Sequence, residues 1–161
     1  MNADSDDSSR FMREALRFAV ESAASGNGGP FAAVVVKDGE IVGRGSNGVT
    51  GQNDPTAHAE VQAIRDACRH LDTFRLDGCE IYCSSEPCPM CLGAIYWARL
   101  ERIYYANDRG VAAEAGFDDA FIYDEIARPI GRRVLPTRHL TVDGADEAFR
   151  VWEDLEDRIE Y

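Results

Sequence analysis

Two cysteines separated by two residues, Cys88 and Cys91, lie in the segment SSEPCPMCLGA near the middle of the chain. This spacing is typical of a redox dithiol, of a structural zinc site, or of part of a catalytic zinc site. Redox chemistry and zinc binding both favour thiolates at the beginning of a helix, where the helix dipole lowers the thiol pKa. The two cysteines alone therefore leave all three alternatives open.

A histidine and a glutamate upstream narrow the choice. The segment TAHAEV places His58 and Glu60 at the beginning of another predicted helix. Residues two apart do not share one side of a helix, so these side chains converge only around its N-terminal end. Helix starts follow strand ends in α/β sheets, and functional groups gather there. His58 with Cys88 and Cys91 would supply three protein ligands and leave one open position, which is the catalytic form of a zinc site.

The other three cysteines, Cys68, Cys79 and Cys83, predict no further site. A structural zinc centre needs a fourth protein ligand, and strand alternation does not reliably place Cys83 near the pair. We interpret all three as small buried hydrophobic residues. A structural-zinc domain without activity and a thiol redox protein are the alternatives from other classes. The redox alternative leaves His58 and Glu60 unexplained.

HAE followed downstream by PCPMC resembles the signature of the zinc deaminases in the cytidine deaminase-like superfamily. The resemblance implies that His58, Cys88 and Cys91 bind one zinc ion per chain, and that Glu60 is a proton shuttle rather than a ligand. Zinc lowers the pKa of its bound water to about 7, which makes hydroxide available to attack a ring carbon bearing an amino or imino nitrogen. Glu60 would carry the water proton to the ring nitrogen.

Segments outside the zinc motif resemble bacterial guanine deaminases, from about residue 11 to the terminal Tyr161. The segment GFDD, residues 116–119, is the most specific part of this resemblance, because it lies outside the zinc motif that all these deaminases share. The resemblance implies hydrolytic deamination of guanine to xanthine and ammonia in purine catabolism or salvage. The alternatives are deamination of guanosine or another aminated purine or pyrimidine, and deamination of adenosine in transfer RNA.

The resemblance also assigns substrate-binding residues. It gives base recognition to Asp119, because an ionised carboxylate accepts both the N1–H and the 2-amino donors of guanine, whereas adenine presents an acceptor at N1. We expect Asp118 to cap the following helix. Asn47 is expected to bind a ring nitrogen or carbonyl, and Phe31 to stack on the base. Trp97 is a second stacking candidate, although core packing is the simpler expectation for it.

The terminal residue, Tyr161, has a role only through the resemblance. In guanine deaminases of this type the C-terminal segment crosses to a partner subunit, where the final tyrosine helps to close the active site. The chain ends in the matching IEY after an acidic amphipathic helix predicted from about residue 145 to residue 161. The resemblance therefore implies an intertwined homodimer with exchanged C-terminal segments.

The predicted elements form one α/β domain over residues 1–161. An N-terminal helix follows a disordered tail over residues 1–8, and Asp38-Gly39 joins two strands in a hairpin. One further helix is expected to have Asp54 as its N-cap and Pro55 as its first residue, and another begins at Pro89. Strands alternating with helices predict a three-layer α/β/α fold, and the hairpin makes its sheet mixed. The cytidine deaminase-like resemblance implies five strands.

The charge balance excludes some partners. The chain has 29 acidic and 17 basic residues, a net charge of -12, and Lys37 is its only lysine. Such a surface opposes binding to nucleic acids and to anionic membranes, and it favours a small-molecule substrate such as a purine base. No signal peptide or membrane span is predicted, so we expect a cytoplasmic protein. An acidic surface of this kind also suggests adaptation to high salt, which predicts lower stability in dilute buffer.

Overall fold

A computed structural model of the chain describes the backbone of residues 3–161 and the side chains of residues 8–161. The strands are β1 (Ala32–Lys37), β2 (Glu40–Ser46), β3 (Cys79–Ser85) and β4 (Arg102–Asn107). The helices are α1 (Ala3–Ser25), α2 (Val49–Gln52), α3 (Ala59–Leu71), α4 (Pro89–Trp97), α5 (Arg109–Glu114), α6 (Ala120–Ala127) and α7 (Glu147–Glu153), with a 3-10 turn at Ile130–Arg132.

The strands form one mixed sheet in the order β2-β1-β3-β4. β1 is antiparallel to both β2 and β3, whereas β3 and β4 are parallel. The mixed sheet is therefore confirmed, but the prediction of five strands is wrong, since residues 3–161 contain four. The chain after α6 contains Pro129 and Pro136, which have no N–H to donate to a strand ladder, and it forms the 3-10 turn and irregular backbone instead.

Helices cover both faces of the sheet, as the alternation along β1 shows. Val34 and Val36 pack with Phe11 and Ala15 of α1 in one buried cluster. Ala33 lies in the other cluster, with residues of α3 and α4. Successive strand residues point to opposite faces, so one short apolar strand supplies both halves of the core. The predicted three-layer arrangement is seen in these two clusters.

α3 packs unusually close to β2 because both elements carry very small residues at their contact. A Cβ atom built on Gly45 would lie 2.1 Å from the carbonyl oxygen of Ala59, and one on Gly43 would lie 2.5 Å from that of Ala63. No side chain fits at such distances, so glycine is required at both positions. This contact fixes the beginning of α3, and with it His58 and Glu60, against the sheet.

The N-terminal segment differs from the prediction of a disordered tail over residues 1–8. α1 already begins at Ala3, and residues 1–2 lie outside the described part of the chain. The segment DSDD at residues 4–7 explains the longer helix, because acidic residues stabilise the positively polarised N-terminal end of a helix.

The chain divides into two compact units, one ending at Ala120 and the other spanning Phe121–Tyr161, where the sequence predicted a single domain. No side chain of the second unit is buried. Its helix α7 ends at Glu153, so the predicted helix to residue 161 is too long. The segment DLEDRIEY that follows is rich in acidic residues, which destabilise the negatively polarised C-terminal end of a helix.

No helix in the described part of the chain is long and apolar enough to cross a membrane.

Candidate metal centre and active site

His58 lies immediately before α3, as its N-cap residue, with extended backbone angles. The predicted cap at Asp54 is wrong, because the Asp54 carboxylate instead accepts hydrogen bonds from the N–H and the hydroxyl of Thr56, at 2.8 and 2.7 Å. Asp54 therefore closes a local turn, a frequent alternative for aspartate. The helix starts only at Ala59, and the N-cap position leaves the His58 ring at the helix end.

Cys88 occupies the same position on α4, as an N-cap residue with extended backbone followed by Pro89. The two helix starts bring three side chains together, since His58 Nδ1 lies 3.5 Å from the Sγ atoms of both Cys88 and Cys91. Tetrahedral zinc, with Zn–S of about 2.3 Å and Zn–N of about 2.0–2.1 Å, separates sulfur and nitrogen ligands by roughly 3.5 Å. The three donors thus fit one zinc ion.

One member of this cluster already favours the form that binds a cation, whereas the other two would release a proton when zinc binds. Hydrogen bonds from Cys91 and His58 lower the pKa of Cys88 to about 4, although burial opposes the shift. The hydrogen bond to Cys88 raises the pKa of Cys91, and the one between His58 and Cys88 raises the pKa of His58. Cys88 is therefore a thiolate at neutral pH, which is the form of cysteine that binds zinc.

Glu60 lies beside the cluster. Its side chain is buried, and its Oε2 accepts a hydrogen bond from Cys91 Sγ at 3.4 Å. Burial raises the pKa of the Glu60 carboxyl, with smaller opposing contributions from its own backbone N–H and from His58. A buried carboxyl with a raised pKa takes up a proton more readily than an exposed one, which suits a group that accepts a proton from water.

The remaining cysteines lie in the core, as predicted. Cys79 and Cys83 are buried in the cluster between the sheet and α3, and the half-buried Cys68 packs against it. Burial raises the pKa of the Cys83 thiol well above its usual value. Among the residues with described side chains, the one group of ligand atoms that could hold a metal contains three members, so a fourth protein ligand is absent there.

A cavity of about 80 Å³ opens at the metal centre and is lined by His58, Glu60 and Cys88 on one side. Phe31 and Asp119, which are predicted to bind the base, line it elsewhere. Asp118 caps the next helix instead. Its Oδ1 accepts a hydrogen bond from the N–H of Ala120 at the start of α6, at 2.9 Å. The two neighbouring acids of GFDD thus have the separate positions expected for a helix cap and a cavity group.

Three residues predicted to contact the substrate are not among the described residues that line the cavity. Asn47 is buried nearby, and its Oδ1 accepts hydrogen bonds from the N–H groups of Gly29 and Val49 at 3.1 and 3.2 Å. The core position expected for Trp97 is wrong, because its side chain is 65% exposed. Tyr161 is exposed within the second unit, and its predicted role depends on a partner subunit.

The cavity also contains Phe117 and Arg109, to which the sequence assigned no role, and Glu86, whose position just before Cys88 left open whether it shapes the pocket rim or only turns the chain into its helix. Phe117 lines it and packs edge-on against Phe31, with ring centroids 4.9 Å apart. Glu86 lines it as well and joins two segments, because its N–H donates to the Asn107 carbonyl at 2.8 Å and its Oε2 accepts from the Arg109 N–H at 3.1 Å. Their places next to PCPMC and within GFDD were the available signals for Glu86 and Phe117, whereas no motif marked Arg109.

Residues 5–107 match the family model of the cytidine and deoxycytidylate deaminase zinc-binding region. The chain belongs to this family of zinc-dependent deaminases, which are hydrolases acting on C–N bonds, and its cofactor is zinc.

Two comparisons within this family extend over almost the whole chain. The chain is 51% identical over 151 residues to the guanine deaminase of Bacillus subtilis, covering 94% of this chain and 97% of that protein. An X-ray structure of guanine deaminase from the same species matches with a TM-score of 0.92 and 49% identity, covering 100% of this chain and 99% of that one. A tRNA-specific adenosine deaminase from Aquifex aeolicus is 44% identical, but the match covers 60% of this chain and 63% of that protein.

Proposed function

We propose that this chain deaminates guanine hydrolytically to xanthine and ammonia, in purine catabolism or salvage, as a cytoplasmic enzyme. The observation that carries the proposal is the extent of the similarity to guanine deaminase, which covers 94% of the chain, against 60% for the tRNA deaminase. The net charge of -12 also favours a small base over a nucleic acid, whose phosphates such a surface repels.

In this proposal His58, Cys88 and Cys91 hold one zinc ion per chain. When bound, zinc supplies a water that gives up a proton near neutral pH, as a nucleophile for the ring carbon. The open fourth position is the one that a catalytic site keeps for water. The thiolate of Cys88 and the shared hydrogen bonds of the cluster hold the three donors close together before the metal binds.

Glu60 is the proton shuttle in the same proposal. Its carboxylate takes a proton from the attacking water and delivers it to the ring nitrogen next to the reacting carbon. The remaining proton of the added hydroxyl then passes through Glu60 to the 2-amino group, the bond from the ring carbon to this nitrogen breaks, and ammonia leaves as the new carbonyl forms. The position of Glu60 beside the cluster, at 3.4 Å from Cys91, brings its carboxylate to the metal centre without making it one of the ligands.

Asp119 recognises the base. Its carboxylate accepts the N1–H and 2-amino donors of guanine together, and both Phe31 and Phe117 provide apolar ring surface beside them. In xanthine the 2-amino group has become a carbonyl, so one of the two donors is lost and the carboxylate faces an oxygen lone pair. This change weakens binding of the product and assists its release. Asn47, whose Oδ1 is occupied, has only its NH₂ group to offer to a ring nitrogen or carbonyl.

An ammonia-release assay with the purified protein tests the function on guanine, guanosine, adenine, cytosine and cytidine. We expect the largest kcat/KM on guanine.

Asp119→Asn should lower kcat/KM on guanine by roughly 10- to 100-fold, because it removes a charge-assisted pair of hydrogen bonds. Activity on cytidine with none on guanine would contradict the proposal, and an unchanged kcat/KM on guanine in Asp119→Asn would show that Asp119 does not recognise the base.

We also propose that two copies form an intertwined homodimer, in which the C-terminal segment of each reaches the partner's active site. Support comes from the second unit, which buries no side chain and leaves several large apolar residues on its surface. Among them are Phe149, Leu155, Ile159 and Tyr161. Exposed apolar residues grouped in this way mark a surface that another protein covers. A second copy is the occupant that would also complete a site with Tyr161.

Deletion of residues 159–161 should raise KM for guanine at least several-fold and weaken the dimer, because it removes Ile159 and Tyr161 from the contact. Light scattering and steady-state kinetics measure the two effects, and Tyr161→Ala separates the aromatic ring from the rest of the segment. Glu160→Gln, which removes an exposed charge in the same segment together with its ion pair to Arg158, is the control. A truncated protein that is a fully active monomer would disprove the exchange.

A further inference from the structure

Arg109 is the one arginine or lysine among the residues that line the cavity at the metal centre. It is the first residue of α5, a short helix capped by Asp108, whose Oδ1 accepts from the Val111 N–H at 3.1 Å. Its side chain lies at the exposed rim of the cavity. In a chain with a net charge of -12, a guanidinium at this place gives the cavity a positively charged hydrogen-bond donor.

The backbone of Arg109 is tied to the segment that carries the zinc ligands. Its N–H donates to Glu86 Oε2 at 3.1 Å, and the Glu86 N–H donates to the Asn107 carbonyl at 2.8 Å. Asn107 in turn donates from its side-chain amide to the Ser84 carbonyl at 2.9 Å. These hydrogen bonds fix the beginning of α5 relative to the metal centre. The Arg109 side chain therefore extends from a backbone position that is held in place.

Arg109 and Asp119 are close enough to influence each other. Burial raises the pKa of the Asp119 carboxyl, and so does the charge of Cys88, whereas the Arg109 guanidinium opposes the shift. The cavity therefore presents an acceptor, the Asp119 carboxylate, and a planar donor, the Arg109 guanidinium, at neighbouring positions. A ligand that presents donors along one edge and acceptors along the adjoining edge complements such a pair.

Guanine has this arrangement of groups. Its 2-amino and N1–H donors face one side, and O6 and N7 follow on the next edge as two acceptors, for which arginine is the commonest bidentate partner in proteins. We propose that Arg109 is a specificity residue that binds O6 and N7 of the base while Asp119 binds the N1–H and 2-amino edge. Adenine presents an amino donor in place of O6, so the guanidinium would oppose it. This inference rests on the proposed guanine deaminase activity.

The test combines variants of Arg109 with substrates that lack one acceptor. 7-Deazaguanine lacks the N7 acceptor and 6-thioguanine replaces O6 by a weaker acceptor, while both keep the N1–H and 2-amino donors. For the wild type we expect kcat/KM to fall roughly 10- to 100-fold from guanine to each analogue. Arg109→Met should lower kcat/KM for guanine by a similar factor, mainly through KM, and should bring the three substrates close to one another.

Arg109→Lys keeps the charge without the planar fork and should give an intermediate preference. Arg75→Met is the matched control, because Arg75 is an exposed arginine paired with Asp77 at 2.9 Å outside the cavity. If the wild type does not deaminate guanine, both the proposed function and this inference fail. If the wild type is active but Arg109→Met lowers kcat/KM equally for all three substrates, the inference alone fails, and Arg109 has a structural role.

Discussion

Glu60→Gln is expected to lower kcat by about 10²–10⁴-fold while the protein keeps one zinc ion per chain. Glutamine has almost the same shape as glutamate but cannot take a proton from the attacking water. Glu60 lies beside the metal cluster and is not one of its three members, so the change leaves all three donors in place. Steady-state ammonia release and metal analysis by mass spectrometry on the same sample measure the two quantities.

The same variant should not lose stability. In the metal-free protein, burial raises the pKa of Glu60 above its value in the unfolded chain, so the free energy of unfolding decreases as the pH rises from the unfolded pKa through the folded one. A neutral glutamine removes that decrease, and we expect the metal-free variant to have a Tm at pH 8 equal to or above that of the metal-free wild type. Glu21→Gln, which removes an exposed charge on α1 together with its ion pair to Arg17, is the control for a charge change away from the metal centre. Wild-type kcat in Glu60→Gln with zinc bound would refute the assignment of Glu60.

Cys91→Ala should remove zinc and with it the activity. Substitutions outside the ligand set of a zinc site already cost about 10- to 100-fold in metal affinity, so loss of one of three ligands should cost more. Cys79→Ala is a closely matched control, because Cys79 is also a fully buried cysteine but lies in the core cluster away from the metal donors. Zinc content after gel filtration and ammonia release distinguish the two variants.

Both variants lose a buried sulfur, so they share any general cost of a small cavity in the core. A lower Tm in Cys79→Ala with full zinc content is therefore compatible with the assignment. If Cys91→Ala kept zinc and activity, or if Cys79→Ala lost zinc, the ligand set inferred from the cluster would be incorrect.

Much of the chemistry follows from short segments whose local structure is simple. His58 and Cys88 each stand at the beginning of a helix that follows a loop, and a side chain at a helix start projects from its end. Spacing within each segment places His58 next to Glu60 and Cys88 next to Cys91, and the resemblance to the zinc deaminase signature joins the two segments into one predicted site. The β1–β2 hairpin is equally local, because Asp38 and Gly39 both adopt the positive φ angles that its turn requires.

Distances between segments far apart in the chain depended on the tertiary structure. Gly45 and Ala59 allow α3 to approach β2 closely. This contact fixes how deeply the Glu60 side chain is buried, and no periodicity in the sequence reveals it. Arg109 reaches the cavity through the Glu86 hydrogen bond, between residues 23 positions apart. Sequence patterns specify which face of an element is apolar, whereas the packing of small residues and the pairing of single hydrogen bonds decide which polar side chains meet in one cavity.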